Sequence, residues 1–215
     1  MKQIPVLVLL GFALSICNLT KSKNSNSPFG SGTSSGGGIA AEKAVPTAAQ
    51  TAALAGGQTV KWDQQGMSWT VPPGWTKVSE EKNSFAWHSP GGSDAANLIV
   101  NISAMSENFP TDASIKATYD GEKTRMKNGE IDELRWLEID GVKGVQFRES
   151  NPEKPDGFRR TQWIAFRNYA GQVQQVNVMV STNGQGYPKH QDAIYGVLYS
   201  TKLVHQGTAV STTAR

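Results

Sequence analysis

A serine between glycines, three scattered histidines, two knots of carboxylates and a basic loop are the groups in this chain that could do chemistry. Gly32-Thr33-Ser34-Ser35-Gly36 spells G-x-S-x-G, the pattern that holds a nucleophilic serine on a sharp turn between strand and helix. Here it lies in a run of Ser, Gly and Asn with neither element beside it, so nothing strains that serine into reach. His88, His190 and His205 are far apart in the chain. His190 with Asp192 offers a metal one imidazole and one carboxylate, short of the three or four protein ligands of a zinc site. Asp192 has a simpler use, complementing the positive end of a helix. Glu130, Asp132 and Glu133 form one acidic knot, and Glu149, Glu153 and Asp156 the other. Calcium needs six to eight oxygens, and no EF-hand spacing appears. Both knots read as solvated turns, and no metal or cofactor is expected.

The segment RESNPEKPDGFRR, residues 148–160, is the longest loop expected inside the folded region. Two prolines, Asp156-Gly157 and flanking arginines suit a recognition loop on a rigid scaffold, with Arg148, Arg159 and Arg160 as its binding residues. Six tryptophans, Trp62, Trp69, Trp75, Trp87, Trp136 and Trp163, are expected mainly in the core. If several lined an open groove they would stack sugars or peptides.

The lone cysteine raises a separate question. Residues 4–16 are an apolar run behind Lys2, too short for a membrane-spanning helix, which needs about 20 residues, and right for a secretory signal. Leu14-Ser15-Ile16-Cys17 resembles the bacterial lipobox, whose cysteine is diacylated. Leu14 and Ser15 match it; Ile16 stands where a small residue is usual, which leaves ordinary signal cleavage nearby as the alternative. By that resemblance Cys17 is the lipid attachment site, and Asn18 favours the outer membrane of a two-membrane cell. An anchor with two or more acyl chains holds stably.

Residues 18–57 are rich in Ser, Gly, Asn, Thr and Ala and hold few groups to bury, so they are expected to be a disordered tether. Transient helix is expected near 48–55. Residues 205–215 read as a polar tail, leaving one domain over 58–204. The whole chain is formally +3, but residues 58–206 hold 16 Lys and Arg against 17 Asp and Glu, a net of −1. A balanced domain lacks the basic footprint of nucleic-acid binding. With no cysteine inside it, the domain also has no disulfide or thiol chemistry.

Period-two alternation marks strands at Met67, Trp69 and Val71, at Phe85 and Trp87, at Leu98, Val100, Ile102 and Ala104, and at Val176, Val178 and Val180. Strands over 133–139 and 144–149 meet at Asp140-Gly141, a hairpin signal. Trp163 to Phe166 is apolar on both sides and belongs in a central strand. Helices are expected over 112–127, with Thr111 as N-cap and Ile115, Tyr119 and Met126 near one face, and over 188–200. In the second, Ile194, Val197, Leu198 and Thr201 keep helical spacing, and Pro188 suits the first turn. The order predicts an α+β fold: an antiparallel sheet of about six or more strands covered by two helices.

Val71-Pro72-Pro73-Gly74-Trp75 interrupts the early strand, because neither proline can donate to a ladder. With the element order around it, this corner resembles the PsbP-like family, which includes DcrB-type bacterial lipoproteins and cyanobacterial relatives of the photosystem protein. The resemblance spans about 60–204. It implies the α/β/α sandwich of that family and a non-enzymatic envelope module that recognises another protein. A photosystem-associated lumenal lipoprotein, a small-ligand carrier and an envelope hydrolase remain alternatives. The expected setting is the periplasm or outer membrane, with soluble secretion as the other outcome.

Overall fold

Two residues in the left-handed region set the sheet's register: Asp140 at φ 49° and Gly141 at φ 81° close the hairpin foreseen there. They join β7 (Ile131–Ile139) to β8 (Val142–Glu149). The computed structural model of the protein describes residues 40–204. Cys17, the G-x-S-x-G stretch and His205 lie outside the described residues.

In chain order the elements are β1 (Glu42–Lys43), α1 (Ala48–Ala53), β2 (Gln58–Trp62), β3 (Met67–Val71), β4 (Thr76–Glu80), β5 (Ser84–His88) and β6 (Asn97–Ala104). Then come α2 (Thr111–Lys127), β7, β8, β9 (Phe158–Tyr169), β10 (Gln172–Asn183), α3 (Tyr187–Tyr199) and β11 (Lys202–Leu203). Eight strands form one sheet in the order β1-β7-β8-β9-β10-β6-β5-β4, and β11-β3-β2 form a second. The class is α+β, as the element order predicts. The sheet is mixed rather than wholly antiparallel, because β1 pairs β7 in parallel.

β9 is central, as its two-sided apolar character requires, and has two covered faces. Trp163 and Ala165 face the main core with Val176, Val178 and Val180 of β10, Leu98 and Val100 of β6, and Ile194, Val197 and Leu198 of α3. The small sheet closes that core with Trp62, Trp69 and Val71. Ile164 turns the other way, toward a second cluster of Ile131, Trp136, Val145 and Phe147, on which Ile115 and Tyr119 of α2 rest. Met126 does not join them; it remains exposed.

The Pro-Pro-Gly break is the corner where the chain leaves one sheet for the other. Val71 ends β3 in the small sheet, and Thr76 opens β4 at the edge of the large one. Gly74 takes φ 81°, which a residue with a Cβ rarely adopts. Trp75 then buries its ring in the main core. Five of the six tryptophans are buried and Trp87 is half-buried, in cores rather than an open groove.

The tether expectation needs correction over 40–57. Thr47 and Gln50 form a capping box, with Gln50 N donating to Thr47 Oγ1 at 3.2 Å and Thr47 N to Gln50 Oε1 at 2.9 Å. This fixes α1, and Leu54 beyond it packs on the main core while Ala41 packs on the second cluster. Few large side chains are needed because α1 docks closely on α3, where Gly196 leaves room for the Gln50 carbonyl and Leu54. The folded domain therefore includes residues 40–57 as well as 58–204. A smaller correction concerns α2: Thr111 is its first helical residue, and Pro110 holds the cap position without a side-chain bond.

Trp163 donates its indole N–H to the Leu137 carbonyl at 3.1 Å, reaching across β8 where Gly144 leaves room. A Cβ at Gly144 would lie 2.5 Å from both the Ile164 carbonyl oxygen and Trp163 Nε1. We expect Gly144→Ala to cost about 1–3 kcal/mol, the usual range for overpacking, read as a lower urea midpoint. Gly92→Ala, where an added Cβ meets nothing within 4 Å, should leave the midpoint unchanged; equal midpoints for the two variants would refute the account.

Candidate protein-interaction site

The β8–β9 connection is shorter and stiffer than the thirteen-residue stretch suggests, because Arg148 belongs to β8, and Arg159 and Arg160 to β9. The loop proper is residues 150–157. It is tied to the turn after β10 by two main-chain bonds, Gly184 N to the Gly157 carbonyl at 2.9 Å and Gln185 N to the Pro155 carbonyl at 3.1 Å. Pro152 wedges between two glycines: a Cβ on Gly157 would stand 2.8 Å from it, and one on Gly184 2.6 Å. The loop and turn enclose an open cleft of about 370 Å³ lined by Asn151, Pro152, Glu153, Pro155, Gly184 and Gln185.

Phe158 opens β9 at the loop's foot and is 66% exposed. Strand alternation puts it on the side opposite Arg159 and Thr161, which are buried. The binding residues expected from the sequence are the arginines around it, not Phe158 itself. Its signal was available: an aromatic directly after a Pro/Gly turn, out of phase with the inward-facing Trp163 and Ala165.

The arginines form the base. Arg159 Nη2 donates to Asp132, its Nε donates to the Glu149 carbonyl at 3.0 Å, and the guanidinium lies over the Tyr187 ring at 4.2 Å. Arg148 Nε donates to Asp132 Oδ1 at 2.6 Å, and Nη1 reaches Tyr195 Oη at 3.1 Å and Glu133 at 3.3 Å. Burial works against the Arg148 charge, but the Asp132 bond and charge together with the Tyr195 and Tyr187 hydroxyls outweigh it and hold the guanidinium above its usual range. Tyr195 donates to Glu133, and Thr161 and Tyr187 share a hydrogen bond of 2.6 Å. Burial raises the Tyr187 phenol; burial, with Tyr187 and Glu133 beside it, raises the Tyr195 phenol. Arg160 is half-exposed and pairs with Glu149 at 2.8 Å.

Asp132, Glu133 and Glu149 are thus strand residues matched to arginines, not the solvated turn groups expected; Glu153 and Asp156 do stay exposed. His190 faces Asp94, at 3.9 Å, rather than Asp192, and burial lowers its imidazole. His88 ends β5, as expected of a strand-end residue. Among the described residues no group of three or more His, Cys, Asp or Glu could hold a metal ion.

No protein-family model matches the chain, and no curated protein matches its sequence. Solved structures do resemble it. One is the mycobacterial protein LpqN of Mycobacterium tuberculosis, described as involved in cell envelope biogenesis (TM-score 0.49, 12% identity, 68% of this chain and 84% of that one). A second is cyanobacterial PsbP from Synechocystis sp. PCC 6803 (TM-score 0.45, 14% identity, 68% and 92%). A third, from Bacteroides thetaiotaomicron, is matched over only 47% of its own length and 66% of this chain (TM-score 0.40, 12% identity). None of these lends the chain a ligand or a partner.

Two measurements check this arrangement. Arg159→Met, which strips a buried charge-assisted bond, should lower stability by about 2 kcal/mol, while Arg160→Met should change it by less than about 1 kcal/mol. Unfolding free energies from urea titration read both, and the reverse ranking would overturn the base as described. Tyr199, pushed up to about 12 by burial against the pull of Arg135, supplies the second. The folded chain holds that proton more tightly than the unfolded chain. Stability is therefore intact below about pH 10 and falls as pH rises toward about 12. Tyr199→Phe should flatten part of that alkaline decline; an unchanged slope would count against it.

Proposed function

We propose that the chain is an exported, membrane-attached binding module, not an enzyme, whose folded domain docks a protein partner through Phe158 and the rigid loop beside it. The exposed Phe158 side chain on an immobile base carries this reading. Ladder pairing with β10 fixes the backbone of Phe158 while its ring stays exposed for a partner to bury, and aromatic residues are enriched in interfaces. The cleft at Pro152 and Pro155 gives the partner a second foothold. The charge pairs beneath are already satisfied within the domain, so they position the site and need not be broken on binding. No described helix is long and apolar enough to cross a membrane. Attachment is assigned instead to acylation of Cys17, behind the apolar run at 4–16.

Two tests separate the parts of the proposal. A photo-crosslinking residue at position 158, in cells making the full chain, should yield one discrete adduct. The same residue at Val78, 60% exposed on edge strand β4, should yield none. Phe158→Ala should then weaken the purified partner by roughly thirtyfold or more, the size of an interface hot spot. Identical adducts from both positions, or unchanged affinity, would remove Phe158 from the reading. For the anchor, intact mass and membrane partitioning of wild type and Cys17→Ala are compared. A diacylglyceryl mass on the wild type alone supports the attachment, and two unmodified soluble proteins would reject it.

A further inference from the structure

One side of the large sheet is covered only in part. α2 packs on the outer side of β7, β8 and β9, while among the described residues no helix packs on that side of β10, β6 and β5. Strand register draws three bands across this uncovered stretch. The middle band is apolar: Met179 stands opposite Ile99, and Ile99 opposite Ala86. Asn177, Asn101 and Ser84 make a polar band along one edge of it, and Ser181, Asn97 and His88 make another along the other edge. Alternation turns all of them away from the main core, into which Val178, Val100 and Phe85 point. Ser181 is buried, Asn101 is exposed, and the other seven are partly exposed.

The three bands hold no Lys, Arg, Asp or Glu. Their polar groups also keep most of their hydrogen-bonding capacity. Asn97 Nδ2 donates to the Ala95 carbonyl at 3.1 Å, but Asn101, Asn177 and Ser84 make no side-chain hydrogen bond among the described residues. Asn177 Oδ1 is shielded from solvent, so that residue offers its Nδ2 alone. Amides that donate and accept, set along both edges of an apolar strip, match an uncharged ligand rich in hydroxyls. The bands span about 10 Å across the strands and about 14 Å along them. That is far short of the roughly 800 Å² that each partner gives to a stable protein interface, so the patch suits neither a second copy nor another folded protein.

We propose that this face binds a neutral, ribbon-shaped oligosaccharide laid across β10, β6 and β5. Its rings rest their C–H faces on Met179, Ile99 and Ala86, where apolar contact removes both surfaces from water. The hydroxyls along the ribbon's two edges then meet Asn177 and Asn101 on one side and Asn97 and His88 on the other. A straight β-linked chain has this polar–apolar–polar cross-section, whereas an α-linked chain coils and cannot keep its rings on one strip. The face lies on other strands than Phe158 of β9, so either assignment can fail without the other.

The test is an NMR titration of the full chain, followed at the side-chain amides of Asn101 and Asn177 and the main-chain amide of Ile99. The titrants are cellohexaose, N-acetylchitotetraose, maltohexaose and glucose, matched in sugar units. A saturable shift of these signals with cellohexaose or N-acetylchitotetraose, much weaker with coiled maltohexaose and not saturable with glucose, is the expected result. Equal affinity for maltohexaose would overturn the ribbon shape. No saturable shift with either straight chain, or shifts that map away from the three bands, would overturn the proposal as a whole. Asn101→Ala, at an exposed position, should weaken binding about two- to tenfold, the range for one neutral hydrogen bond, with the melting temperature unchanged. Gln64→Ala, on the exposed turn after β2, should bind as the wild type does. Equal affinities for the wild type and both variants, or equal losses in the two variants, would reject the assignment of Asn101.

Discussion

The large sheet depends on one indole. Trp163 lies fully buried in the central strand and crosses one neighbour, β8, to reach the Leu137 carbonyl of β7, over the single position in β8 that has no side chain. Any larger residue at 144 would collide with the ring and with the strand behind it. The contact ties β7, β8 and β9 together beneath α3, and Leu137 is also the residue against which Glu42 of β1 pairs. Packing here is shape complementarity, in which a missing Cβ matters as much as a large ring.

Around that point the sheet's inner face divides into an apolar and a charged half. Ile194, Val197 and Leu198 of α3 meet valines and Trp163. Tyr187, Tyr195 and Tyr199 of the same helix meet Arg159, Arg148 and Arg135. Tyrosine suits this boundary, with a ring that covers a guanidinium and a hydroxyl that bonds to a carboxylate or an arginine. One helix thereby seals both halves. The same chemistry leaves the loop before Phe158 standing on a base whose charges are matched.

Closure of the other side falls to the small sheet. Trp62 and Trp69 stack on Phe85 of the large sheet, with ring centroids 5.5 and 5.1 Å away. The Pro-Pro-Gly corner lets one chain contribute β3 below and β4 above. The large sheet's two edges are blunted in different ways. β1 is only two residues long, and β4 carries a register shift between Lys77 and Ser79. Short and bulged edges discourage pairing with another chain.

Much of this was legible in the sequence by itself. Alternation at 67–71, 97–104 and 176–180, the Asp140-Gly141 turn, the helical spacing of Ile194, Val197 and Leu198, and the corner at 72–75 are local signals. Backbone geometry turns each directly into a strand, turn or helix. The order of those elements was enough for the α+β class. The ordering of 40–57 was not legible, since an alanine-rich helix with no buried residue of its own gains its stability from what it docks on. Nor were the roles of the arginines. Asp132 precedes Arg159 by 27 residues and Gln65 precedes Arg167 by 102, so their meetings follow from strand order rather than neighbourhood. The sequence pattern puts Arg159 in a loop and singles out no role for Arg167; the tertiary structure places both on one face of β9 and gives a carboxylate to Arg159 alone.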